Sequence, residues 1–131
     1  MALERLDPAE QHNKMTLDHY ARYLFACVAA EGKRVLDVAC GFGYGSRLLA
    51  ASGAREVVGV DVAPDALAYA HDHYAHPLVS YILKDITALS PDIEGHFDLI
   101  TCFETLEHVP NPMLALDALT SMLPSSRGLV V

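Results

Sequence analysis

Residues 34 to 46 constrain the fold more than any other stretch: Arg34-Val-Leu-Asp37-Val-Ala-Cys40-Gly41-Phe-Gly43-Tyr-Gly45-Ser46. The apolar run Val35, Leu36 and Val38 reads as a buried strand. It enters a glycine-rich turn, and the turn opens a helical pattern at Ser46. Strand, glycine turn and helix in that order is the layout of a nucleotide site in a doubly wound α/β sheet. Glycine permits positive φ and close approach of a ligand because no Cβ intervenes. The helix N-terminus presents free N–H groups. Two details narrow the ligand. Asp37 lies inside the strand end, four residues before Gly41, where a carboxylate would repel a pyrophosphate and attract ammonium and sulfonium groups. The glycines run G-x-G-x-G, and Ser46 stands where a dinucleotide fingerprint has its third glycine.

Residues 35 to 46 resemble motif I of the class I S-adenosylmethionine-dependent methyltransferases, an acidic residue followed by alternating glycines, with Ala39 in place of the first glycine. The resemblance extends over about residues 34 to 131. It implies a doubly wound, mainly parallel α/β sheet of order 3-2-1-4-5 with helices on both faces, lacking the family's usual last two strands. It implies S-adenosylmethionine as cofactor, with contacts from Asp37, Ala39, Gly41, Gly43, Asp61, Val62, Asp85, Ile86 and Phe103. In the family, an acid at the Asp85 position accepts from the adenine amino group, and the apolar residue after it packs on the ring.

The pass along the chain supplies the other elements. Residues 1 to 31 read as a polar arm and a cap helix over 16–30, with Thr16 as N-cap and Leu17, Tyr20, Leu24 and Val28 at helical spacing. Residues 32 to 131 read as the Rossmann-like core, so that the whole is one domain. Gly53 closes the helix after the glycine turn. Glu56-Val-Val-Gly-Val-Asp61 is the second strand, and Asp61 falls 18 residues after Gly43. A nucleotide fold of this kind places a carboxylate for the ribose hydroxyls at about that spacing; capping of the next helix is the plainer alternative. Pro64 opens that helix, and Ala66, Leu67 and Ala70 form its inner face. His71, His73 and His76 follow as a solvated helix end rather than a metal set, since His71 and His73 face different sides. Residues 78–83 form a third strand and 97–102 a fourth. Asn111 caps a helix opened by Pro112, and Leu129-Val-Val131 starts a fifth strand. Its unpaired edge is expected to favour self-association.

Catalysis is expected after the fourth strand. Positioning supplies much of a methyl transfer, and a hydroxyl acceptor also needs a base. His108 is the first candidate and Glu104 the second; Glu104 could instead hold the ammonium end of the cofactor. Glu104-x-x-Glu107-His108 also resembles the metal-binding run of small-RNA 2′-O-methyltransferases, but it is only part of a site, and the expectation is no metal.

Net charge is −8 and the nine Lys and Arg are scattered, which disfavours a nucleic-acid partner. No apolar stretch approaches the roughly 20 residues of a membrane helix. Three cysteines without ligand-like spacing read as reduced thiols in a cytoplasmic protein. The expected function is methyl transfer to an oxygen of a small molecule. The alternatives are a truncated module that binds S-adenosylmethionine without turnover, and an NAD-dependent oxidoreductase, against which Asp37 and the glycine spacing count.

Overall fold

The computed structural model describes residues 14–103, 109–124 and 129–130, with side chains described for 20–103 and 109–124. Five parallel strands form one sheet in the order β3-β2-β1-β4-β5. They are β1 (Arg34–Val38), β2 (Glu56–Asp61), β3 (Val79–Leu83), β4 (Leu99–Cys102) and β5 (Leu129–Val130). The helices are α1 (Lys14–Ala30), α2 (Tyr44–Ala51), α3 (Pro64–His73), the single turn α4 (Pro91–Glu94) and α5 (Pro112–Ser121). A 3-10 turn, Ile86–Ala88, follows β3.

Alternation along the central strands sorts side chains into two layers. Val35, Val57 and Leu99 join Tyr23, Ala26 and Ala30 of α1 and Leu49 and Ala50 of α2 on one face. Leu36, Val38, Val58, Val60 and Ile100 pack with Phe97 and with Ala115, Leu119 and Met122 of α5 and its end on the other. The second and third helices close as their sequences indicate. Gly53, at φ 108°, terminates α2, and Pro64 occupies the first turn of α3. Asn111 caps α5 by accepting from the Leu114 N–H.

Three sequence expectations are corrected. The described part of α1 already includes Lys14, so Thr16 lies inside the helix and is not its cap. The buried face of α1 is Tyr23, Ala26 and Ala30, whereas Leu24 and Val28 are 48% and 85% exposed. Small residues win because α1 lies close on α2, where a Cβ on Gly45 would stand 2.3 Å from the Tyr23 ring. Finally, α2 starts at Tyr44, two residues before Ser46, with Gly43 at φ 97° as its N-cap.

Candidate functional site

The C-terminal ends of β1, β2 and β3 meet around the glycine turn, the place where open α/β sheets bind ligands. Ala39, Gly41 and Gly43 all have positive φ, at 56°, 59° and 97°. Asp61 fastens this turn from the end of β2. Its Oδ2 accepts from the Gly41 N–H at 2.9 Å, and its Oδ1 accepts from the Ala63 N–H at 3.0 Å. The turn is held from β3 as well, because the Tyr81 hydroxyl lies 3.0 Å from the Gly43 carbonyl and 2.8 Å from that of Tyr74. Val62, next to Asp61, is 63% exposed.

The other expected contacts are distributed unequally. Asp85 is exposed and accepts from the Thr87 N–H and hydroxyl, which hold its carboxyl below the usual carboxylate range. Ile86 is buried in the layer under α5. Phe103 is half-buried, its ring edge-on to Tyr23 at 4.9 Å. Glu104, Glu107 and His108 lie outside the described residues. Among the described residues, no group of three or more His, Cys, Asp or Glu could hold a metal ion.

Asp37 has no exposed surface. Three hydroxyls from three elements donate to it: Tyr23 of α1 at 2.9 Å, Ser46 of α2 at 2.7 Å and Thr101 of β4 at 2.7 Å. Burial pushes its carboxyl up to about 6 against the opposing effect of these hydrogen bonds, and the nearby Asp61 raises it further. The register explains the meeting. Tyr81, Gly59, Asp37 and Thr101 form one row across four strands, on the face that α1 and α2 cover. Gly59 leaves room for Ser46, whose Oγ would stand 2.7 Å from a Cβ there. Sequence reasoning read Tyr23 with its helix mainly as packing and did not single out Ser46 or Thr101 as partners of Asp37, or Tyr81 as a partner of the turn. The available signal was a hydroxyl in an apolar strand, as in Leu99-Ile-Thr101-Cys102.

The glycines serve the protein's own packing more than expected. A Cβ on Gly43 would meet Ala70 at 2.6 Å and the Tyr81 hydroxyl at 2.8 Å, and Gly45 seats Tyr23. The Gly41 N–H, which a pyrophosphate would require, is already taken by a carboxylate. Asp37 in β1, Asp61 at the end of β2 and Asp85 just beyond β3 suit a nucleoside with hydroxyls and a cationic group.

The family profile described as "Methyltransferase domain" matches residues 35–125. The chain belongs to the class I S-adenosylmethionine-dependent methyltransferases. S-adenosylmethionine is the cofactor of that family, and the acidic strand ends fit it. The chain is 38% identical over 118 residues to the ubiquinone biosynthesis O-methyltransferase of Xanthomonas campestris, covering 88% of this chain and 47% of that protein. It is 39% identical over 113 residues to the protein of the same name from Alkalilimnicola ehrlichii, covering 85% and 44%. The chain thus spans about half the length of these curated relatives. Among solved structures, magnesium protoporphyrin IX methyltransferase of Synechocystis with bound S-adenosylmethionine superposes with a TM-score of 0.65 at 26% identity, covering 82% of this chain and 53% of that one. The [4+2]-cyclase SpnF has the same fold, with a TM-score of 0.69 at 22% identity, covering 84% and 42%. The architecture alone therefore does not specify methyl transfer.

Proposed function

We propose that this chain is the cofactor-binding portion of an O-methyltransferase acting on a small molecule in the cytoplasm. The observation that carries the reading is Asp61, which uses its carboxylate to close the glycine turn and so replaces an anion-binding loop with an acidic one. The names of the curated relatives support oxygen as the methylated atom.

In this reading Asp61 accepts from the ribose hydroxyls and Asp85 from the adenine amino group. Val62 supplies an apolar surface for the purine, with Ile86 supporting it from the core. Ala39, Gly41 and Gly43 shape the backbone around the ligand, and Phe103 borders its methionine end. When bound, S-adenosylmethionine supplies a methyl group on a cationic sulfur that is already an excellent leaving group. The protein's task is to hold the acceptor in line with that methyl group and exclude water. His108 removes the acceptor's proton, with Glu104 as the second candidate. Self-association through the β5 edge belongs to the same proposal, and a monomer mass in light scattering that does not change with concentration would remove it.

Calorimetric titration with S-adenosylmethionine and S-adenosylhomocysteine, beside Asp61→Ala, tests the cofactor assignment. Saturable binding weakened about ten-fold or more by the substitution, or about 1.4 kcal/mol, is expected. Equal binding by both proteins would remove Asp61 from the site. Transfer of a labelled methyl group then separates an enzyme from a module that binds without turnover.

A further inference from the structure

We propose that Tyr23 is a positioning residue for the cofactor site: its hydroxyl, with those of Ser46 and Thr101, keeps Asp37 ionised beneath the glycine turn and so sets the affinity for a cationic nucleoside. This rests on the cofactor assignment above.

The geometry is specific. Asp37 has no access to water, yet its two oxygens accept three short hydrogen bonds, all from hydroxyls and, among the described residues, none from a cation. A carboxylate has about four acceptor positions, so one remains. Hydroxyls rotate, and each can donate to an ionised carboxylate in place of solvent. Tyr23 reaches this point only because Gly45 lacks a Cβ, and Ser46 only because Gly59 does. The Phe103 ring, just after β4, packs edge-on against Tyr23. A single side chain of α1 therefore touches the buried carboxylate, the helix that follows the glycine turn and the exit of β4.

The titratable groups facing Asp37 are Tyr23 from α1, Cys40 from the turn, Asp61 from β2 and Tyr81 from β3; Asp61 raises its carboxyl, whereas Tyr23 lowers it through its hydrogen bond. The elements α2 and β4 contribute Ser46 and Thr101, which do not titrate. Arg47 of α2 acts on Tyr81 and is not among the groups that shift Asp37. Against burial and the Asp61 carboxylate, the three hydroxyls are what favour the charge.

Tyr23→Phe tests the inference, because it keeps the ring on Gly45 and removes only the donor. Two measurements are made on the full chain. The first follows the Asp37 carboxyl carbon by NMR during a pH titration without ligand. An upward shift of its midpoint by about one pH unit is expected, with shifts in the same direction for Ser46→Ala and Thr101→Val. The second is calorimetric binding of S-adenosylmethionine between pH 6 and 8. A loss of about five-fold at pH 6 that nearly vanishes at pH 8 is expected, whereas a purely structural defect would weaken binding at both. Asp37→Asn should make the profile flat. An unmoved carboxyl midpoint overturns the inference, and so does a binding loss independent of pH. No saturable binding by the parent chain at any pH would sink the cofactor assignment and the ligand half of this inference together. The ligand-free titration would still decide whether Tyr23 holds the charge.

Discussion

Ala39 occupies the left-handed region at φ 56° without being glycine. Such a conformation costs an L-residue about 1–2 kcal/mol, part of which a glycine forfeits by being freer when unfolded. Ala39→Gly is therefore expected to stabilise the fold by about 0.5 kcal/mol, read as a rise in urea midpoint at constant slope. Asp37 has the opposite character, because its folded carboxyl lies near 6, above the ordinary value of about 3.9. The folded chain then binds the proton more tightly than the unfolded one. The stability that this group contributes is fully present below pH 4 and is lost as pH rises through 6. The loss amounts to about 2–3 kcal/mol at pH 7. Asp37→Asn cannot titrate, so its stability relative to the parent should improve by about that amount between pH 4 and pH 7. A gap that stays constant across this range, by denaturant melts at each pH, would contradict the buried titration.

At the scale of elements, Arg34 ties the start of β1 to three neighbours. Its Nε lies 3.1 Å from Glu56 of β2, and its Nη1 donates to the carbonyls of Glu94 and His96 at 2.8 and 2.9 Å. The guanidinium also sits 4.1 Å over the Phe97 ring. Hydrogen bonds to charged groups are worth about 1.5–3 kcal/mol when sheltered, and this side chain is 22% exposed. Arg34→Ala is expected to cost about 2–3 kcal/mol. Arg34→Lys should recover little of it, because an ammonium has no planar fork to span these partners. The orientation of α1 gives a second test. Tyr23→Ala should cost about 3–5 kcal/mol and Val28→Ser under about 0.5 kcal/mol. The reverse ranking would restore the face that spacing alone suggested.

Over the whole molecule, stability should follow the sheet's own order. β1 and β2 are buried along nearly their full length, while β3 is only partly covered. Amide exchange from Val35–Val38 and Val57–Val60 should require global unfolding, and Val79–Leu83 should exchange through smaller openings. Equal protection across all three strands would mean that β3 has cover beyond what the described residues provide. Among those residues, no helix is long and apolar enough to cross a membrane.

The glycine turn, the acid ending β2 and the helix starts at Pro64 and Asn111 were legible in the sequence, because each depends on a local rule, whereas the strand order followed from the family resemblance. Apolar runs make buried strands, glycine reaches positive φ, and a short polar side chain satisfies a helix end. Local rules also placed Asp37 in the strand that leads into the glycine turn. They could not say what it touches, because its partners stand at positions 23, 46 and 101 and meet only when parallel register aligns Asp37 with Thr101. The face of α1 was undecided for the same reason. Both of its stripes are apolar, and only the close approach of α2 at Gly45 selects the one carrying Tyr23. The sequence by itself determined the family, the order of elements and the acidic character of the strand ends, all properties of neighbours along the chain. Only the tertiary structure decided which hydroxyls surround the buried carboxylate and which glycines serve packing, since those depend on distances between residues far apart in sequence.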